Sequence, residues 1–234
     1  MITVGIMQPY FLPYLGYFHL IKSVDIFVIY DDVQYVRGWI NRNRFIFNDK
    51  IEYVTLPLIN GSRSLLISDR EISKEWDKEK IRVSNCIKQF YKKRINFSRG
   101  IKLCNEIFNY SETNLLNFVY HSILKICKEL EISTKIIRSS SLGDFRLFKG
   151  EKKIIEICKS LNADRYINVF AGEKLYNRNE FKVNGLDIKF IKSSFDPYNQ
   201  SNSTFVPELS VIDMIFSISS RDEMQKQINN FEFV

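Results

Sequence analysis

Two short runs, residues 3–7 and 26–30, are branched and nearly continuously apolar, and a helical stretch around residues 13–22 separates them. Strands covered on both faces read this way because neither face is left for polar residues, so the opening predicts a βαβ unit and a sheet that begins parallel. Apolar-rich residues 43–47 and 51–56 flank Asn48-Asp49-Lys50, which predicts a hairpin, and residues 64–67 add a candidate strand. The period then becomes helical over about 74–94 and 112–130, where Leu116, Val119, Ile123, Ile126 and Leu130 form one apolar stripe. Residues 135–138, 165–169 and 188–191 read as further strands, and 151–161 as a helix with Ile154, Ile157, Cys158 and Leu161 on one face. Ser210 to Ile218 is apolar nearly all round except at Asp213, as in a helix buried against a sheet, and a polar helix follows at about 221–230.

These elements predict an α/β fold: a mainly parallel, Rossmann-like sheet with an antiparallel hairpin and a helical middle layer. A single domain over 1–234, with a helical subregion at about 74–130, is expected, since no repeat or low-complexity linker divides the chain. The apolar runs fall short of the roughly 20 residues of a membrane helix, so no membrane span is expected. The start Met-Ile-Thr-Val lacks the basic and apolar regions of a signal peptide, which points to a cytoplasmic protein. Cys86, Cys104, Cys127 and Cys158 stand far apart, and His19 and His121 are the two imidazoles, so the sequence calls for no metal. A formal charge of +7 and a pI near 9.1 favour an anionic partner. Nucleic acid ranks last, because the basic residues are interspersed with acids and no binding motif accompanies them.

Candidate chemistry concentrates in the first forty-four residues. Pro9 and Pro13 stiffen the chain after the first strand, Gly16 opens it, and Gln8, Tyr10, Tyr14 and Tyr17 gather where open α/β sheets bind ligands. Asp31 and Asp32 follow the second strand; on extended chain they point to opposite sides, so one or the other is the candidate base, with a strand-ending turn as the structural alternative. Arg37, Arg42 and Arg44, interleaved with Trp39, Asn41 and Asn43, suit a phosphorylated or nucleotide-linked sugar, guanidinium for phosphate and indole for the ring. His19 is a further catalytic candidate. Asp213 requires a partner if buried, either one of those arginines or a helix N-terminus; Ser210 acts as a nucleophile only with a base beside it, and none is identifiable, so both are supporting candidates. Lys88 to Arg94 reads as a solvated helix end, with docking of an acidic acyl-carrier protein as a lesser possibility.

The stretch Ile6 to Ile21, Val24-Asp-Ile-Phe-Val-Ile-Tyr-Asp-Asp32 and Arg37-Gly-Trp-Ile-Asn-Arg-Asn-Arg44 together resemble the WbqC-like family. Tyr166, Gly172 to Tyr176 and Phe205-Val-Pro-Glu-Leu-Ser-Val-Ile-Asp213 extend the resemblance, with Glu208 standing where asparagine is expected. The family's association with bacterial surface-polysaccharide loci implies an N-acyl- or aminoacyltransferase forming an amide on a nucleotide-linked deoxyamino sugar, for O-antigen or another surface polysaccharide. It implies an acyl or aminoacyl thioester of a carrier protein or coenzyme A as co-substrate, and no tightly bound cofactor. The opening segment also resembles nucleotidylyl transferases and pantothenate-synthetase-like enzymes, with Tyr14-Leu-Gly-Tyr17 in place of His-x-Gly-His. Tyrosine supplies no imidazolium charge, so ATP-dependent amide ligation or nucleotidyl transfer is the second reading. A noncatalytic sugar-nucleotide or carrier-protein binding module is the third.

Overall fold

In the computed structural model, which describes residues 1–62, 64–200 and 204–234, the βαβ opening consists of β1 (Thr3–Met7), α1 (Leu15–Lys22) and β2 (Ile26–Ile29). β1 and β2 pair in parallel, from Val4 beside Ile26 to Met7 beside Ile29. The chain then leaves this sheet for a separate antiparallel hairpin, β3 (Arg42–Phe47) and β4 (Lys50–Thr55). Asn48 and Asp49 take positive φ in its turn, a conformation their short polar side chains tolerate. Helices α2 (Trp76–Phe90), α3 (Phe97–Phe108) and α4 (Leu115–Glu129) follow before β5 (Lys135–Arg138) pairs with β2. Next come α5 (Gly150–Ser160), β6 (Arg165–Val169), α6 (Arg178–Val183) and β7 (Asp187–Ser193), and the chain closes with α7 (Val211–Ser217), α8 (Arg221–Ile228) and β8 (Phe231–Phe233). The main sheet runs β5-β2-β1-β6-β7-β8, parallel except for β8, which confirms the α/β class.

The apolar strand runs have the expected cause. Phe27, Ile29, Ile167 and Ile191 pack into a layer with α1, the three middle helices, α7 and α8, while Val4, Ile6, Val28, Tyr166, Ile188 and Phe190 pack into a second layer with α5 and α6. Gly5 lets α1 approach β1, because a Cβ there would stand 3.3 Å from Val24 and 3.4 Å from Leu20.

Several expected elements differ. Residues 64–67 form no strand: Leu66 makes one isolated bridge to Gln34, and Ile67–Asp69 is a single 3-10 turn. The helix expected to 94 ends at Phe90, and α3 was not foreseen, although Gly100, Leu103, Cys104, Ile107 and Phe108 recur at helical spacing and are buried. At the C-terminus the helix stops at Ile228 and Phe231–Phe233 pairs with β7, covering that edge of the sheet.

The chain moves from β1 to β2 on one side and returns to the other side of β1 with β6. Such a reversal opens a crevice at the carboxyl ends of the two strands, the place where parallel sheets receive ligands. No described helix is long and apolar enough to cross a membrane.

Candidate functional site

Beyond β1 the chain bends at Leu12, a buried leucine at φ 46° that precedes Pro13. A left-handed leucine costs roughly 1–2 kcal/mol, so neighbouring bonds must hold the bend. Asn43 supplies one: its Nδ2 donates to the Leu12 carbonyl while its Oδ1 accepts the Arg44 amide at 2.7 Å. The Tyr17 hydroxyl donates to the Gln8 carbonyl at 3.0 Å, and the Phe11 amide to the Ile40 carbonyl at 2.9 Å. Asn43 and Tyr17 are therefore buried braces, whereas Gln8, Tyr10 and Tyr14 keep partial exposure. Tyr10 stands edge-on to Trp39 at 5.3 Å, with Tyr14 at 6.5 Å and Tyr17 at 6.4 Å. Burial pushes the Tyr10 hydroxyl up to about 12 and raises Tyr14 as well, so both stay neutral. Gly16 does not open the loop as expected. It lies buried in the first turn of α1, where a Cβ would come within 2.4 Å of the Tyr14 ring.

A cleft of about 750 Å3 lies between residues 34–42 and 55–61. Arg37, Arg42 and Arg70 line it, with Tyr35, Asn41 and Gly61. Arg42 lies 4.4 Å over Tyr53 and donates through Nε to the Gly38 carbonyl. Gly38 sits at φ 122°, which favours glycine. Arg70 lies 4.6 Å over Tyr35, whose hydroxyl donates to Asn41 Oδ1 at 2.9 Å; Asn41 Nδ2 in turn donates to the Leu56 carbonyl at 2.7 Å. Among the described residues none of these three arginines has an acidic partner. Arg70 is buried and Arg42 half-buried, so two of the three cations are partly withdrawn from water without a counter-charge among the described residues, and planar guanidinium forks of this kind match phosphate. Arg44 is turned elsewhere, onto the Glu208 carbonyl at 2.8 Å and carboxylate at 3.4 Å. Arg37 and Arg42 thus come together as expected, with Arg70 rather than Arg44 as the third member.

β2 ends at Ile29, so strand alternation no longer governs Asp31 and Asp32, and both carboxylates converge on the Ser139 hydroxyl. Asp31 is fully buried, accepting from Ser139 Oγ at 2.8 Å, the Ser140 amide at 3.0 Å and Ser140 Oγ at 2.6 Å. Those bonds fasten the end of β2 to the 3-10 turn Ser139–Ser141 that follows β5. Asp32 retains 11% side-chain exposure and pairs with Lys153 Nζ at 2.7 Å; the same ammonium donates to the Asp32 carbonyl at 2.9 Å. Of the two aspartates, Asp32 is the one with surface to offer a substrate. Beside it, burial raises the Tyr30 hydroxyl, and the Asp32 charge adds to the effect.

The remaining candidates occupy structural positions. Asp213 is buried and pairs with Arg94 at 3.5 Å, not with the arginines of the first motif, and accepts the Tyr91 and Tyr198 hydroxyls at 2.9 and 3.0 Å. Burial raises its carboxyl, against the pull of Arg94 and the two hydroxyls. Arg94 is correspondingly part of the core rather than of a solvated helix end. Ser210 caps α7, its hydroxyl accepting the Ile212 amide at 3.3 Å, and its own amide donates to the Arg44 carbonyl at 3.0 Å. His19 has no accessible surface; its Nε2 bonds the Gln227 carbonyl at 2.9 Å and its ring stacks on Phe195. Among the described residues no group of His, Cys, Asp and Glu side chains assembles as a metal site.

Sequence reasoning passed over Arg70, Lys153 and Ser139. Arg70 stands in the charged run Asp69-Arg70-Glu71 and carries no local sign of burial. Lys153 was legible, because it precedes Ile157 by one helical turn on the apolar face of α5.

Over 227 residues the chain is 26% identical to an uncharacterised protein of Mycobacterium tuberculosis, Rv1507c, covering 93% of this chain and 94% of that one. A stretch of 93 residues is 25% identical to inositol 1,4,5-trisphosphate receptor-like protein A of Dictyostelium discoideum, 40% of this chain and 3% of that protein. No solved structure matches. The WbqC-like sequence family matches residues 8–225, a span that takes in the Tyr10 loop, the arginine cleft and the Asp32–Lys153 pair alike, so the chain belongs to the WbqC-like protein family.

Proposed function

We propose that the protein is an N-acyltransferase that forms an amide on the amino group of a nucleotide-linked amino sugar, with an acyl or aminoacyl thioester as donor. The observation that carries this reading is the arginine cleft, in which Arg37, Arg42 and Arg70 face no carboxylate among the described residues. A sugar nucleotide supplies the missing negative charge, and Tyr10 and Trp39, edge-on to one another at 5.3 Å, offer aromatic surface for a ring. The family's link with surface-polysaccharide loci supports the substrate class.

In the reaction the sugar nitrogen attacks the thioester carbonyl, a C–N bond forms, the C–S bond breaks, and sulfur leaves as the carrier thiol, taking up the proton that the acylated nitrogen gives off. The amine must be neutral to attack. Asp32 takes the proton of its ammonium, while Lys153 fixes the carboxylate's orientation and leaves lone pairs free for the substrate. Positioning supplies much of the rate in such a transfer, which needs no covalent enzyme intermediate.

The test is incubation of purified protein with nucleotide-linked amino sugars and acyl thioesters, without ATP, followed by mass spectrometry of the sugar nucleotide. An enzyme-dependent acyl mass is expected. Arg42→Ala should raise the sugar-nucleotide KM by about tenfold or more with a smaller change in kcat, and Asp32→Asn should lower kcat by about 100-fold. Product that forms only with free acid, ATP and magnesium would replace the transferase by a ligase; ligand binding without turnover would leave a binding module.

A further inference from the structure

Arg70 differs from the other arginines of the cleft in being buried, with 8% of its surface exposed. Its Nη2 donates to the Ser62 carbonyl at 3.1 Å and its plane lies on Tyr35, yet its Nε has no hydrogen-bond partner among the described residues. A buried charged donor left idle is costly unless a ligand accepts from it. The same wall carries Asn60 and Gly61, exposed residues whose amides make no hydrogen bond among the described residues and are open to water or to a ligand. Gly61 allows the wall to close on the guanidinium, since a Cβ there would stand 3.0 Å from Arg70 Nη1 and 2.8 Å from Leu65 Cδ1. Arg37, by contrast, is exposed, and Arg42 is half-buried.

We infer that Arg70, with the Asn60 and Gly61 amides, forms an inner phosphate subsite, and that the cleft, with Arg37 and Arg42 on its outer side, takes a diphosphate in preference to a monophosphate. This rests on the anion reading of the cleft given above and adds selectivity to it. A single phosphate seated at either side leaves the opposite cation unpaired. Two linked phosphates present acceptor oxygens to both sides at once, and the second contact comes without a second loss of translational freedom.

Isothermal titration with inorganic pyrophosphate and with orthophosphate, in metal-free buffer at low salt, tests the subsite on the full chain. The unmodified protein should bind pyrophosphate at least about 30-fold tighter than orthophosphate, the order expected when one ligand joins two charge-assisted contacts. Arg70→Lys keeps the charge but loses the planar fork, and should weaken pyrophosphate about tenfold while leaving orthophosphate within about twofold. Lys159→Gln, an exposed change on α5, should alter neither affinity. Gly61→Ala crowds the fork without removing it and should act like Arg70→Lys, which keeps the comparison if the lysine variant does not fold. Equal affinity for the two probes, or unchanged pyrophosphate binding in both variants, would overturn the inner subsite and leave the anion cleft standing. Failure of the unmodified protein to bind either probe would remove the cleft reading as well.

Discussion

Glu208 is held at φ 57°, a left-handed position that a glutamate seldom occupies and that asparagine tolerates. The resemblance to the family called for asparagine at this position, and the backbone supplies the reason. Glu208 offers an exposed carboxylate to Arg44 in return, an interaction worth about 0–1 kcal/mol in water. Relief of the backbone should exceed that loss, and Arg44 keeps its bond to the residue 208 carbonyl. Glu208→Asn should therefore stabilise the protein by roughly 0.5–1 kcal/mol, read as a higher urea midpoint at unchanged m-value. A lower midpoint would show that the ion pair outweighs the strain. Leu12 has the same backbone problem, but its carbonyl is clamped by Asn43, so the strain there supports the shape of the Tyr10 loop.

Among the elements, α7 ties the site to distant parts of the chain. Its N-terminal residues hold two parts of the site: the Val211 amide donates to the Pro13 carbonyl at 2.9 Å, and the Ser210 amide to the Arg44 carbonyl at 3.0 Å. Its Asp213 draws in Arg94 from beyond α2 and Tyr198 from the segment after β7. Its Phe216 ring lies on α3 at Gly100, where an added Cβ would meet ring carbons at 2.5–2.7 Å. Phe216 is buried against Tyr91 and Phe97, so the ring has no room to retreat and α3 must move instead. Gly100→Ala should cost about 1–3 kcal/mol despite its gain in helix propensity, with Tm falling roughly 2–4 °C for each kcal/mol. A stability equal to that of the unmodified protein would mean that the two helices separate more easily than their packing implies.

On the scale of the whole molecule, His19 couples the fold to pH. It lies beneath Phe195 and Phe231 at the contact of α1 with α8, and burial lowers it from 6.5 to about 4. The folded protein keeps the ring neutral where the unfolded chain takes up a proton, so between these values the unfolded state binds more protons. Stability is then complete above the unfolded value and falls as pH falls, by on the order of 2 kcal/mol at pH 5 relative to pH 7. Urea unfolding at the two pH values should show that loss, and His19→Gln should remove most of it. An equal loss in the variant would assign the slope to other groups.

Strands β1 to β7, α1, α4, α5 and the α/β class were legible in the amino-acid sequence because burial on one face or two leaves a local period, 3.6 or 2, that survives without knowledge of neighbours; β8 and the absence of a strand at 64–67 were not. The Tyr10 loop and the Arg37–Arg44 segment were legible through their residue types. Partners were not: Asp213 pairs with a residue 119 positions away, and Asp32 with Lys153, 121 positions away. Burial of Arg70, the rotation of Arg44 onto Glu208, and the convergence of Asp31 and Asp32 on Ser139 likewise depend on segments brought together by packing. The sequence by itself determined most of the elements, because a regular apolar period is local; α3, the turn at Ile67–Asp69 and the closing strand at Phe231–Phe233 were exceptions. Only the tertiary structure decided which charges meet an opposite charge and which do not, because pairing is a property of distance in space.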